Sequence, residues 1–364
     1  MAIVQPSMAP YRFACFSALA ARPDIDLLVT YLSRGSQPYD WTVDEEAARF
    51  ERIVLGARDH AGVHPLPLGI AGALRGFRPD VTVVGGWDEP SYYAIAALRP
   101  LLGRRVVVWS ESTSQDRRRS GWRDRAKRAI LHRADAVLVP GAAAREYAES
   151  IAPRVKRWFV APNAIDNERF AAGAADARQA RDAASNDHPT FIYVGRLDPE
   201  KGVDVLLRAW GIVDRPDGAR LRIVGTGSQA EALRGLAVRL RLENAEFEGF
   251  VPQADLPGCY GRADAFVFPS LSDPWGLVIN EAMASGLPVI TTSAPGGARE
   301  LVKNGENGLV VPPRDPNALA AAMSTLAADR EARERMASAS SHIVQDFSPG
   351  AWAHAVAGMA AAIR

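Results

Sequence analysis

Cysteine is scarce: Cys15 and Cys259 are the only two in 364 residues, and they lie far apart. That excludes a disulfide framework and fits a reducing cytosol. The start, Met1-Ala-Ile-Val-Gln-Pro, has no basic segment followed by a long apolar stretch, so a secretory signal is not expected. Nowhere is there a run of about 18 apolar residues, the length a membrane-spanning helix needs. Charge of one sign is lacking too, since 43 Lys and Arg against 42 Asp and Glu leave a net +1. No global field draws such a chain to nucleic acid, and any electrostatic partner has to be sought in local patches. A His/Cys cluster of the kind that holds a metal is also missing. The expectation is a cytoplasmic protein with no metal, no cofactor and no nucleic-acid partner.

What is present is ordinary globular material, 48% hydrophobic and 23% charged. Its length suits two domains of roughly 150–200 residues, each large enough for a core. Short apolar runs bounded by turn residues alternate with longer helical patterns. In the first half the runs at Ile3–Gln5, Asp26–Leu32, Val81–Val84, Val106–Trp109, Ala136–Pro140 and Trp158–Ala161 predict strands. In the second half Thr190–Val194, Leu221–Val224, Ala245–Glu248, Ala265–Pro269, Pro288–Thr292 and Gly308–Val311 do the same. Helical crossovers such as Pro90–Leu98, Trp122–His132, Val203–Trp210 and Pro316–Ala328 separate them. This alternation predicts an α/β protein with two doubly wound, open parallel sheets. It breaks once, where Ala171-Ala-Gly-Ala-Ala-Asp-Ala-Arg turns polar and alanine-rich, a stretch that reads as a joint between domains or, in part, as helix. The expected division is residues 1–168, an interdomain linker region at 169–188, a second domain at 189–346 and a C-terminal segment at 347–364. A cleft between two such domains is the default ligand site.

The most specific motif is Gly195-Arg-Leu-Asp-Pro-Glu-Lys-Gly202, placed between a strand and a helix start. Its glycines allow close backbone approach, and the helix N-terminus offers free N–H groups to an anion. Arg196 and Lys201 add one forked and one point-like cation, which is what a diphosphate leaving group needs. An isolated loop of this kind also reads as a solvated basic pair. The next turn, Gly225-Thr-Gly-Ser-Gln, nearly matches the dinucleotide fingerprint G-x-G-x-x-A, whose alternative is a tight turn for close helix packing. Further on, Asp273 and Glu281 are separated by seven residues across a strand-to-helix junction. Carboxylates only accept hydrogen bonds, which suits sugar or ribose hydroxyls. Singly, each also reads as a helix cap or a dipole partner.

Taken together these motifs resemble those of the retaining, family-4 type of glycosyltransferase with the GT-B fold, two Rossmann-like domains facing across a cleft. The resemblance covers Gly195–Gly202, Ile223–Gly227, Phe247–Val251, Ala263–Gly286 and Gly296–Pro313. It extends more loosely to Pro10-Tyr-Arg, Ala134-Asp-Ala and Pro162-Asn-Ala-Ile-Asp166. It implies hexosyl transfer from a nucleotide diphosphate sugar, UDP- or GDP-linked in preference, to an acceptor hydroxyl on a glycan, lipid-linked precursor or small molecule. By the same resemblance Arg196 and Lys201 hold the diphosphate, Glu281 binds ribose and Asp273 faces the donor sugar. The implied donor site adds Gly195, Gly225, Phe250, Val251, Trp275, Gly276 and Leu277; the acceptor side is Tyr11, Arg12, Trp87 and Glu111. The segment 347–364 is expected to cross back to the first domain.

The chain departs from the family pattern in three places. Asp273 replaces a Glu and is one methylene shorter. Ser110-Glu-Ser-Thr stands where many relatives place a His, which makes Glu111 a candidate catalytic group or a plain strand-end carboxylate. Pro6-Ser-Met-Ala-Pro10 replaces a glycine pair, while Gly85-Gly-Trp-Asp88 offers another loop. Asp24-Ile-Asp26 matches a D-x-D metal signature but precedes its strand, so a polar strand entry is expected. The basic run Arg117-Arg-Arg, Arg123, Arg125, Lys127, Arg128 and Arg133 reads as a solvated helix face or as a patch docking on anionic lipid. Three alternatives stay open: a nucleotide-sugar epimerase, a nicotinamide oxidoreductase, and a weakly catalytic nucleotide-sugar-binding protein.

Overall fold

The computed structural model describes residues 1–33, 48–56, 68–99, 105–114, 121–182 and 188–364. They divide into two compact units: Met1–Ile165 together with Ser348–Arg364, and Asp166–Phe347. Among the described residues no helix is long and apolar enough to cross a membrane.

The first unit is built on β1 (Ala2–Ser7), β2 (Leu28–Ser33), β3 (Glu51–Val54), β4 (Val81–Val84), β5 (Arg105–Trp109), β6 (Ala136–Val139) and β7 (Trp158–Val160). All pair in parallel, in the order β3-β2-β1-β4-β5-β6-β7. Near-continuous apolar runs such as Val81-Thr-Val-Val suit strands covered on both faces. Alternation along each strand sorts the side chains. Ile3, Val83, Val107 and Trp109 pack on one face with Phe13, Phe16 and Trp352. On the other face Val4, Val84 and Val108 meet Tyr92, Ile130 and Tyr147. Trp352, from the C-terminal helix Pro349–Ile363, lies 5.4 Å from the Trp109 ring and 5.7 Å from Phe16. That helix starts cleanly because Ser348 accepts the Ala351 N–H. Strand β3 was not expected, since Glu51-Arg-Ile-Val sits half exposed at a sheet edge and carries no apolar run.

The second unit contains β8 (Thr190–Val194), β9 (Arg220–Val224), β10 (Ala245–Gly249), β11 (Ala265–Phe268), β12 (Val289–Thr292) and β13 (Gly308–Val311). They too are parallel, in the order β10-β9-β8-β11-β12-β13. The stretch expected as a linker, residues 169–188, differs: most of it lies in the helix Asn167–Asp182, which belongs to this unit. Its alanines are strong helix formers rather than signs of a joint. Phe170 and Ala174 are buried, and the helix packs closely on Leu256–Gly261. A methyl group on Gly261 would lie 2.3 Å from the Ala174 carbonyl oxygen, so only glycine permits that approach.

Each sheet reverses its strand order once, between β1 and β4 in the first unit and between β8 and β11 in the second. Ligands of open α/β sheets bind beyond the carboxyl ends of the strands at such switch points.

Candidate active site

At the β8/β11 switch point the chain leaves β8 through Gly195 and turns into a short 3₁₀ segment, Pro199–Lys201. Gly202 follows at φ 65°, in the left-handed region, and opens the helix Val203–Trp210. A side chain there would strike the Pro269 carbonyl, 2.4 Å from the position of its Cβ. The loop after β9 lies directly against this turn. A Cβ on Gly225 would sit 1.9 Å from the Gly195 oxygen, and Gly225 has φ 133°. A Cβ on Gly227 would lie 2.6 Å from the Leu197 backbone. These two glycines therefore serve loop-to-loop packing, the tight-turn reading of the apparent dinucleotide fingerprint.

Lys201 is buried, and its Nζ donates to Asp273 Oδ2 at 2.7 Å. The other carboxylate oxygen, Oδ1, accepts the Trp275 N–H at 3.0 Å. Asp273 is thus fixed between a cation and the chain that leads into the helix Leu277–Ala284. That helix opens at Gly276, φ 90°, without a side-chain cap, so capping does not explain the carboxylate. Arg196 is less buried and pairs with Asp198 and with Glu200 Oε1 at 2.8 Å. Burial alone would raise the Asp198 pKa. Bonds from the Ser228 N–H and O–H, with Arg196 and Lys201 nearby, outweigh it and hold the carboxyl below the usual range. The Glu200 carbonyl in turn accepts from the Leu271 and Ser272 amides and the Ser270 hydroxyl, tying the β8 loop to the β11 loop.

Glu281 lies one turn inside Leu277–Ala284 and is buried. Its Oε2 accepts the Tyr260 hydroxyl at 2.8 Å. Burial raises its pKa to about 7, offset in part by that hydrogen bond and by Arg169. Trp275 is buried too and donates Nε1–H to Asn280 Oδ1 at 2.9 Å. Phe250, just after β10, is exposed, and Val251 borders a cavity of about 570 Å³ with Arg169, Glu248 and Cys259. Sequence reasoning singled out none of Asp198, Ser228, Tyr260 or Asn280. Ser228 and Tyr260 have partners 30 and 21 positions away, so no local spacing marks them, whereas Asp198 and Asn280 pair with Arg196 and Trp275 inside motifs read for their other residues.

In the first unit Arg12 donates to Glu111 Oε2 at 2.7 Å and lies over the Trp109 ring at 4.0 Å. Burial would lower the guanidinium pKa, but Glu111, with Tyr11, more than compensates and keeps it charged. Glu111 Oε1 is buried and has no hydrogen-bond partner among the described residues. Tyr11, Arg12 and Glu111 thus come together. Trp87 does not join them: it is buried against Tyr147 and Lys127, on the opposite face of the sheet. Lys127 also departs from the expected basic face, since it is buried and donates to the Tyr147 hydroxyl at 2.8 Å. Trp122 and Arg123 on the same helix, Gly121–Arg133, are exposed, and Arg117 to Arg119 lie outside the described residues. Asp24 pairs with Arg22 at the surface, as a polar strand entry would.

Comparison with known proteins agrees with this arrangement. The family described as Glycosyl transferases group 1 matches residues 175–342, and the Glycosyl transferase 4-like domain matches residues 10–164. The chain is similar to a glycogen synthase of Mycobacterium tuberculosis, 30% identical over 88% of this chain and 77% of that protein. It is also similar to a GDP-mannose-dependent alpha-mannosyltransferase of Mycolicibacterium smegmatis, 32% identical over 76% of this chain and 73% of that one. Among solved structures, Anabaena HepE in complex with UDP superposes with a TM-score of 0.81 at 22% identity, covering 100% of both chains. From the two family matches and the identity shared with the glycogen synthase, the chain belongs to the group 1, family-4-type glycosyltransferases and has their GT-B fold.

Proposed function

We propose that the protein moves a hexosyl group from a nucleoside diphosphate sugar, UDP- or GDP-linked in preference, to an acceptor hydroxyl, with retention of anomeric configuration and without a metal. The observation that carries this reading is the buried Lys201 ammonium at the β8/β11 switch point, with Asp273 at 2.7 Å. A GDP-mannose-dependent relative and a neighbour solved with UDP support a nucleotide-sugar donor.

As the bond from the sugar carbon to the diphosphate oxygen breaks, its electrons leave on the diphosphate. Lys201 and Arg196 meet that charge where it develops, so their stabilisation is greatest in the transition state. Two fixed cations take the neutralising role that a metal has in other transferases. The Glu281 carboxylate receives the ribose hydroxyls, and Asp273 the sugar hydroxyls from a position its shorter side chain sets back. Glu111 serves the acceptor: its Oε1 is an acceptor in need of a donor, and the attacking hydroxyl is one. Arg12 positions that carboxylate through Oε2.

Wild-type protein incubated with UDP-, GDP- and ADP-hexoses and a panel of polyol acceptors tests this. The expected outcome is release of the nucleoside diphosphate with a new glycosidic anomeric proton signal of the donor's configuration. An isomerised donor would make the protein an epimerase, and binding without release would leave it a binding protein.

A further inference from the structure

Tyr260 is fully buried on the short helix Leu256–Gly261. Its ring packs against Phe170, on the helix Asn167–Asp182, and against Phe266 of β11, with centroids 6.0 Å and 5.8 Å away. The backbone beside it is held as closely, since Gly261 abuts Ala174 with no room for a methyl group. Packing this dense leaves a side chain one rotamer, so the phenol hydroxyl has a fixed position. That position is 2.8 Å from Glu281 Oε2, on a different helix and 21 residues further along the chain. A core that needed only the ring would take phenylalanine; the hydroxyl is matched to the carboxylate.

The bond does two things for Glu281. It stops rotation of the carboxylate, so that Oε1 is the oxygen left to a ligand's hydroxyl. It also favours the charged form, the one that only accepts hydrogen bonds. Burial works against that charge, and Tyr260 and Arg169 are the two groups that work for it. Arg169 is exposed but anchored, donating to the Gln253 carbonyl at 2.5 Å. Arg178, on the same helix, is turned instead to the Ser285 carbonyl at 2.7 Å. The strands packed on the Glu281 helix, β11 and β12, carry no charged residue. None of the charged residues on the other helices packed there, among them Arg299, Arg333 and Asp346, bears on its carboxyl.

We propose that Tyr260 is a positioning residue for donor recognition: its hydroxyl, assisted by Arg169, holds the Glu281 carboxylate in the orientation and the ionised form that receive the donor's ribose. Neither residue touches the donor's reacting bond; both act through Glu281. The inference rests on the reading that Glu281 meets the ribose, and it adds the two residues that prepare that carboxylate. Arg169 does so from the helix whose sequence suggests a joint between domains.

Two measurements on the full chain test it, with wild type, Tyr260→Phe and Arg169→Gln. The first is carbon-13 NMR of the ligand-free protein labelled at the glutamate carboxyls, Glu281 being assigned by its absence from Glu281→Gln. The Glu281 titration, near pH 7 in wild type, should move up by about one pH unit in Tyr260→Phe and by less in Arg169→Gln. The second is the affinity for UDP-, GDP- and ADP-sugars between about pH 6 and pH 9. The pH at which that affinity is half lost should rise with the titration, and the effect should fall on donor KM rather than on turnover at saturating donor. Loss of packing alone would weaken binding at every pH and leave that midpoint in place. Tyr260→Phe keeps the ring and its contacts; should it fail to fold, Arg169→Gln, at an exposed side chain, carries both measurements. A Glu281 titration unmoved in the folded variants, or a donor midpoint unmoved while the titration shifts, overturns the inference. Failure of every donor to bind wild type instead overturns the donor reading itself.

Discussion

Lys201→Ala is expected to lower turnover roughly a hundredfold to a thousandfold, the effect of losing one preorganised group that meets transition-state charge. The argument begins with placement. Lys201 sits at the end of a 3₁₀ segment whose geometry is set by Gly202 and by the Glu200 carbonyl's three donors from the β11 loop. Its ammonium is therefore held in one position, at 2.7 Å from Asp273 Oδ2. The substitution also leaves the Asp273 carboxylate without its cation, although the Trp275 N–H still binds it. That predicts a stability loss of about 1–3 kcal/mol rather than unfolding. Arg196→Ala is expected to have a smaller effect, because its side chain is 40% exposed and already shared between Asp198 and Glu200. Turnover at saturating donor, with circular dichroism as a check on the fold, measures both. Near-wild-type transfer by Lys201→Ala would defeat the assignment.

The second large effect concerns pH. The Glu281 carboxyl, raised by burial to about 7 from an ordinary 4.5, holds its proton in the folded state where the unfolded chain has lost it. Below about pH 4.5 the group is neutral in both states and makes no difference. Between 4.5 and 7 its burial becomes progressively destabilising, and above 7 the full penalty applies. That penalty is on the order of 3 kcal/mol. Glu281→Gln keeps the shape and the Tyr260 contact without the charge, so it should be more stable than wild type at pH 8 and similar at pH 4.5. Urea titrations at the two values give the difference. Donor binding should run the other way. Ribose hydroxyls donate to the carboxylate and favour its ionised form, so affinity is expected to fall as pH drops through 7, by up to about tenfold per unit. The Gln variant should lack that slope. A donor affinity in wild type that is flat from pH 8 to 5.5 would separate Glu281 from the ribose.

These two residues also show what a sequence can disclose. Lys201, Arg196 and Glu281 stand in motifs with local spacing, so they can be singled out before any fold is known. Most strands are visible for a similar reason, because parallel strands buried on both faces are short apolar runs. Strand β3 is not, since an edge strand with one exposed face carries Glu51 and Arg52 and no run. The helix Asn167–Asp182 misleads in the opposite way, because its alanines have a strong helical preference but no apolar periodicity to announce it. The supporting side chains are hidden by distance. Tyr260 reaches Glu281 across 21 positions, Ser228 reaches Asp198 across 30, and Arg12 meets Glu111 across 99. Only the sheet topology brings such pairs together. The same holds for Lys201 and Asp273, 72 positions apart, where composition offers two separate charges and the fold makes one site.

The central claim is that the segment from Gly195 to Glu281 holds a nucleoside diphosphate sugar. Thermal melting of the full chain with UDP-, GDP- and ADP-sugars tests it most directly. A cognate donor at a hundred times its Kd should stabilise the fold by about 2.7 kcal/mol and raise the melting temperature, with that rise much reduced in Lys201→Ala. No shift with any of these donors, or an equal shift in the variant, would contradict the account.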